Sequence, residues 1–274
     1  MQCTIYSRII EFSCHHLNIY STELQLSGKI VTDMKKIIVI LATALLVHNR
    51  TEAEENQPQP VSVTLSSVIA NKYLFSGTGM ELSGDPVVQT DLFLSHKSGV
   101  YLDLWNSRSL KGKWDDGSLG NEVDYGLGWN GVIKGLTVHV GVTYFDEPKA
   151  FTLGSGDIIY SHLRLGKDWK LLTLTLGYEN LVTMPDSGFQ GGNLFSLTAS
   201  KSIPFWKDRM NISTSLAGVY DTGTLGSDTG FFLRGTAGVN WNITKRLTAN
   251  LVSVNYFVRH KSDAIVSSGL TWSF

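Results

Sequence analysis

The sequence predicts an all-β protein, a transmembrane antiparallel up-and-down β-barrel of about 12 strands in the bacterial outer membrane. Three observations predict this fold: an alternating final strand, an export signal near the other end, and connectors that alternate in length. Counting back in twos from Phe274 gives Trp272, Leu270, Ser268, Val266 and Ala264 on one face, opposite mostly small or polar residues. Because a barrel closes its final strand against its first, we interpret Leu270, Trp272 and Phe274 as an assembly signal. The barrel assembly machinery and outer-membrane lipid are then expected partners.

An export signal lies inside the N-terminal region. Two lysines follow Met34, an apolar run covers 37–47, and Ala53 ends a small-residue site, which is the order of a secretory signal peptide. The run is far shorter than the roughly 20 residues that a spanning helix needs, so we expect cleavage rather than anchorage. We predict that 34–53 is the signal peptide and 54–274 the barrel. Residues 1–33 are interpreted as a mis-assigned extension, with a long export leader as the alternative.

Composition limits the chemistry of the exported chain. Both cysteines, Cys3 and Cys14, precede the predicted cleavage site, so we expect no disulfide. The formal net charge of −1 gives no electrostatic reason to expect a nucleic-acid partner. We expect no cofactor and no metal centre. A mean hydropathy near zero fits a barrel in which every second residue faces lipid.

About twelve segments alternate between apolar and polar residues and have roughly the length of a tilted membrane strand. The pattern is clearest where Val123, Tyr125 and Leu127 share a face opposite Glu122 and Asp124. The predicted strands are 61–75, 87–95, 100–106, 121–130, 136–145, 157–165, 170–178, 193–201, 210–220, 230–241, 246–258 and 264–274.

The connectors favour a barrel over a soluble β-sandwich, because outer-membrane barrels pair short periplasmic turns with longer outer loops. With both termini in the periplasm, every long connector falls on the outer side. The long connectors are 76–86, 107–120, 146–156, 179–192 and 221–229, and the short ones are 96–99, 131–135, 166–169 and 242–245. The connector 202–209 is intermediate in length, and 259–263 is a short final outer loop. A sandwich gives no reason for this order.

Three strings in the first third of the predicted barrel carry a family resemblance. They lie at 67–77, 84–89 and 96–101. They resemble the S-D-Y-x-F-R-G-x-S, G-D-P-A-x-Q and H-x-S-G-x-Y strings of the Gcw_chp-type family of exported bacterial proteins. The resemblance implies a porin-like outer-membrane barrel of largely unassigned role and no transferable catalytic residues. Here Asn71 and Lys72 replace the usual Ser-Asp pair, and Ser76 replaces the usual Arg.

Strand parity places a set of ionisable residues on the face away from lipid. Arg or Lys facing lipid at mid-depth would cost about 2–4 kcal/mol, so this placement predicts a wet or internally paired interior. The predicted lumen residues are Asp91, Asp103, Glu122, Asp124, His139, His162, Arg164, Glu179 and Arg234. Most acids fall on the second to fourth strands and most bases on the fifth and sixth, which predicts a field across the lumen that orients small polar solutes.

The sequence therefore favours porin-like passage of small polar solutes, and it leaves a closed lumen open as an alternative. Twelve strands lie between filled eight-stranded barrels and wide porins. The charges would then pair across a packed interior, or the glycine-rich segment 189–193 would fold inward as a plug. Parity also points Tyr101, Trp105 and Tyr160 inward. A cation held between Asp91 and Asp103 is a further hypothesis.

Two other classes of function are weighed. A lipid-modifying enzyme needs a nucleophile and a base close together near the membrane rim. The strand histidines His139 and His162 are predicted to face inward, and His96 and His260 fall in connectors, so we expect no enzyme. A structural or adhesive barrel whose outer loops bind a partner remains the other alternative.

Overall fold

The computed structural model describes residues 60–111, 121–146, 157–184, 189–206, 209–258 and 261–274. The predicted extension 1–33 and signal peptide 34–53 lie outside these residues. Within the described part of the chain, no helix is long and apolar enough to cross a membrane.

Twelve antiparallel strands pair into a closed barrel, and two short strands form a separate sheet inside the first outer connector. The strands are β1 (Val61–Ala70), β2 (Tyr73–Leu74), β3 (Glu81–Ser83), β4 (Val87–His96), β5 (Val100–Ser109), β6 (Glu122–Ile133), β7 (Leu136–Asp146), β8 (Ile158–Asp168), β9 (Thr173–Thr183), β10 (Gly192–Phe205), β11 (Met210–Asp221), β12 (Gly230–Asn242), β13 (Leu247–Val258) and β14 (Lys261–Ser273). A short 3₁₀ turn covers Thr224–Gly226.

The barrel closes between its first and last strands. Leu65 pairs with Trp272, and Ala70 pairs with Ser267. The backbone N–H of Phe274 donates to the carbonyl of Val63 at 2.9 Å, which extends the seam to the C-terminal residue. The predicted fold is therefore confirmed, and each of the twelve predicted segments corresponds to one barrel strand.

The outer wall presents large apolar side chains at many of the alternate, outward-facing positions. Leu127, Leu176 and Leu251 are 51%, 59% and 54% exposed. An exposed apolar surface that runs around the whole cylinder is stable only against hydrocarbon. The alternation predicted from sequence thus gives one lipid-facing wall.

All the long connectors lie at one end of the barrel, as predicted, and the short ones lie at the other end, except for 259–260 between β13 and β14. The turn between β6 and β7 has only Lys134 and Gly135, with φ angles of 49° and 76°. Two left-handed residues in a two-residue loop match the twist of a hairpin, and Gly135 adopts this conformation without steric cost. This end carries both termini of the barrel.

The first outer connector, residues 71–86, enters the barrel, and we call it the plug loop. It contains the β2–β3 hairpin. Its Tyr73, Leu74, Phe75 and Leu82 are buried together with strand residues that include Val87, Phe145, Ile158, Leu181 and Phe232, and we call this apolar group the core cluster. The predicted extension of the first strand to Phe75 is therefore wrong. Three consecutive apolar residues cannot alternate between lipid and lumen, so all three pack inside the outer mouth.

Candidate functional site in the barrel lumen

A row of residues across four strands places a tyrosine against two histidines. Tyr101 pairs with Gly128, Gly128 with Gly141, and Gly141 with His162. An ideal Cβ at either glycine would lie 2.3 Å from the Tyr101 hydroxyl oxygen, so the tyrosine reaches across only because both positions lack a side chain. Its hydroxyl lies 3.0 Å from His139 Nε2 and 3.4 Å from His162 Nε2. The side chains of Tyr101, His139 and His162, which were predicted to face inward, thus form one hydrogen-bonded network.

The guanidinium of Arg164, which lies next to this network on β8, is paired with a carboxylate. Arg164 Nη2 donates to Glu179 Oε1 at 2.9 Å and to the Tyr160 hydroxyl at 3.0 Å. The Tyr160 ring stacks on Phe145, with ring centroids 5.6 Å apart. Because a planar guanidinium held by a carboxylate and a packed phenol has a fixed direction, this pair forms a rigid wall of the lumen.

The acidic side chains lie on β4, β5 and β6. Asp91 and Asp103 lie on the neighbouring strands β4 and β5, two positions apart in the register, which places the predicted pair together. Glu122 is 1% exposed and accepts a hydrogen bond from the Tyr73 hydroxyl at 2.6 Å. Asp124 is buried beside it. The acids therefore occupy one side of the lumen, and Glu122 also fastens the plug loop.

Arg234 fastens the same loop from the far side. Its guanidinium donates to the carbonyl of Ser76, and the Tyr256 hydroxyl donates to that carbonyl at 3.3 Å. Lys72 binds the carboxylate of Asp263. The plug loop is thereby held by β12, β13 and β14. Sequence analysis predicted Arg234 as a lumen residue but not Tyr73, Lys72, Tyr256 or Asp263, because their partners come from distant parts of the chain.

The plug loop crosses the lumen. Phe75 contacts Phe145 on β7, with ring centroids 6.3 Å apart, whereas Ser76 is held by β12 and β13. Strands β7 and β12 lie on nearly opposite sides of the barrel. In the segment 189–193, for which an inward fold was the alternative prediction, Phe189 packs against the core cluster, but the segment that crosses the lumen is 71–86.

A cavity of about 470 Å³ lies beneath the plug loop. It combines aromatic faces with charged and polar groups. Its lining includes Tyr73, Trp105, Tyr160, Asp103, His162 and Arg164. Among the described residues, no cluster of three or more His, Cys, Asp or Glu side chains could hold a metal ion.

Towards the short turns the inward positions become small and polar. Asn211 and Asn240 pair across β11 and β12, and the Asn240 amide donates to Asn211 at 2.9 Å. The other inward positions of this region include Thr175, Ser196, Thr198, Ser213, Ser215, Thr236, Asn250 and Thr271. These side chains are only half-buried, so the periplasmic half of the lumen has a polar wall that is accessible to solvent.

A closed cylinder with an apolar outer wall and a polar interior defines an outer-membrane β-barrel of porin-like form, so the protein lies in the bacterial outer membrane. Residues 52–261 match the family described as "Bacterial protein of unknown function (Gcw_chp)", and the chain belongs to this family. None of the curated proteins matches the chain.

Solved structures of other outer-membrane barrels share the fold. One is the KdgM porin, also determined in complex with disordered oligogalacturonate: identity is 9%, the TM-score is 0.51, and the match covers 78% of this chain and 99% of that one. Another is the COG4313 outer membrane channel from Pseudomonas putida F1, with 11% identity, a TM-score of 0.47, and coverage of 81% and 100%. At 9% identity the KdgM similarity establishes the fold alone.

Proposed function

We propose that the barrel is a channel for small polar solutes, and that the plug loop controls passage through it. The observation that carries this proposal is how the lumen is obstructed. Small barrels are filled along their length by side chains from their own strands. Here the periplasmic half has small polar side chains, and only the outer half, which the plug loop crosses, is filled. The plug loop packs inside the barrel, but its β2–β3 hairpin forms a separate sheet. The loop is therefore able to move without breaking the strand pairing of the barrel.

The charges bear on the solute. The KdgM neighbour binds an oligogalacturonate, which is a polyanion. In the present lumen Asp91, Asp103 and Asp124 form an acidic side, and Arg164 is already paired with Glu179. Like charge repels a polyanion from such a wall, so we do not extend that ligand to this protein.

Planar-bilayer recording with a reversible lock tests the proposal. An ideal Cβ at Gly79 lies 3.1 Å from Tyr256 Cβ, so a disulfide, which needs about 3.5–4.5 Å, requires a small backbone shift. A cysteine at Gly79, where φ is 76°, requires such a shift as well. The G79C/Y256C pair, in full-length protein with C3S and C14S, is expected to conduct poorly when oxidised and more when reduced. The matched control is the C3S/C14S protein, whose conductance should not respond to reductant. An absence of ion conductance from both proteins in either redox state would overturn the proposal.

We also infer that the lumen network is not hydrolytic. His139 and His162 both reach the phenolic hydroxyl of Tyr101, which is wedged over two glycines rather than presented at the membrane rim. A general base acts by approaching the nucleophile that it activates. Purified protein is therefore expected to leave phospholipid intact, and hydrolysis that H162A abolishes would contradict this inference.

The C-terminal strand is proposed to guide assembly. Leu270, Trp272 and Phe274 all face lipid, and the rings of Trp272 and Phe274 stack with centroids 5.6 Å apart. Removing Phe274 should lower the amount of folded barrel in the outer membrane. Heat-dependent gel migration measures folding, and removal of the N-terminal residues 1–33 serves as the control deletion.

A further inference from the structure

We propose that the cavity beneath the plug loop is a binding site for a neutral, hydroxyl-rich solute of the size of one sugar ring. This proposal deepens the channel function, on which it rests, by naming a class of solute. The cavity volume of about 470 Å³ falls in the range of small-molecule sites.

Two buried polar atoms in the lining point to a ligand. His162 is 8% exposed, and its Nδ1 has no hydrogen-bond partner among the described residues. Asp103 Oδ1 is also buried and, within the same described part of the chain, no donor reaches it. Both residues line the cavity. Because a buried polar atom without a partner is unfavourable, a group that bonds to these atoms is stabilised at this position.

The hydrogen-bonding pattern favours a hydroxyl group on the ligand. Tyr101 has one hydroxyl proton and lies between the Nε2 atoms of His139 and His162. Whether His162 Nδ1 donates or accepts depends on which imidazole receives that proton. Asp103, in contrast, only accepts when it is ionised. A hydroxyl group both donates and accepts, so one ligand chemistry serves both residues.

The charges favour a neutral ligand over an ionic one. The lysine and arginine that line the cavity, Lys72 and Arg164, are each paired with a carboxylate, which leaves little attraction for an anion. Asp103 and Asp124 line the same cavity, so its lining carries as many acidic as basic side chains and gives no net preference for a cation. Much of the remaining wall is aromatic, and the rings of Trp105 and Tyr73 lie 5.6 Å apart at their centroids. Such faces suit the C–H surface of a sugar ring.

Calorimetric titration of the full-length protein with three ring sugars of similar size tests this site: glucose, glucuronate and glucosamine. Glucose is expected to bind saturably, and D103N and H162L should each weaken it at least about fivefold. The matched controls H96L and D168N change residues at the short-turn end, outside the cavity, and should leave binding unchanged. Heat-dependent gel migration verifies folding, and H162Q replaces H162L if that variant does not fold.

Three results would overturn the site: no binding of glucose, tighter binding of either charged analogue, or equal affinities in D103N and wild type. Ion conductance of the same preparation separates this proposal from the channel. Conductance without glucose binding removes the site and keeps the channel. Glucose binding without conductance removes the channel and shows that the site exists independently of it.

Discussion

The outer and periplasmic halves of the lumen are built in opposite ways. In the outer half Val87, Phe145, Ile158 and Phe232 pack around the plug loop and are less than 10% exposed. In the periplasmic half, serine, threonine and asparagine line a wall that stays half-buried. One half therefore resembles the core of a globular domain, and the other resembles a water-filled pore.

The outer half of the lumen therefore contributes packing that stabilises the protein, whereas the periplasmic half leaves space for solutes. The outer wall of the barrel gains its stability from lipid, so the interior is free to specialise. The outer half uses that freedom to hold an apolar core cluster that includes four side chains of the plug loop. We expect changes there to alter both stability and conductance, whereas changes near the short turns should alter neither strongly.

The largest expected effect comes from removing the core of the plug loop. Replacing residues 73–82 with a glycine-serine segment of the same length should raise single-channel conductance on the order of tenfold, because the periplasmic half alone would then limit flow. Unchanged conductance in folded protein would mean that the periplasmic half, and not the outer half, limits the flow of ions.

A pair of inward substitutions on one strand compares the stability of the two halves. Phe232 lies in the outer core, and F232A should lower the free energy of unfolding by about 3–5 kcal/mol. Thr236 lies four residues closer to the short turns, and T236A should change it by less than about 0.5 kcal/mol. Urea titration of both variants in lipid vesicles measures this difference, and equal losses would contradict the proposed division.

The sequence predicted the barrel because its signals are local and repeated. Alternation and connector length revealed all twelve barrel strands. Strand ends were less predictable: β5 continues to Ser109 and β10 to Phe205, because pairing with a neighbour extends a strand beyond its clear alternation. Such pairing is a property of two segments and is not encoded in either one alone.

The plug and the histidine network were predictable only in part. Parity predicted inward positions for Tyr101, His139 and His162, but their contact depends on the register that aligns Gly128 and Gly141 between them. Glycines on inward positions of adjacent strands were the available signal. The apolar run at Tyr73 reads equally well as a strand end, so only its packing identifies the plug.

A glycine substitution sharpens the boundary between the two halves. G141A would place a Cβ 2.3 Å from the Tyr101 hydroxyl oxygen, so the ring must move, and we expect a loss of about 1–3 kcal/mol in the free energy of unfolding. G235A is the matched control, because its nearest neighbour would be Phe257 at 3.7 Å, an ordinary contact. Chemical unfolding of the two variants under the same conditions provides the test, and equal stabilities would show that Tyr101 is loosely held.

The smallest expected effect concerns the hold of Arg234 on the plug loop. R234Q removes a charged donor from the Ser76 carbonyl, but Tyr256 still donates to the same oxygen, so the loss should be about 1 kcal/mol. That energy corresponds to roughly a fivefold rise in the population of a displaced loop, which should appear as more frequent channel openings at unchanged open conductance. R246Q makes the same change in a short turn and should leave the opening frequency as it is. If R246Q increased the opening frequency as much as R234Q, the loss of a positive charge, and not the release of the plug loop, would explain the result.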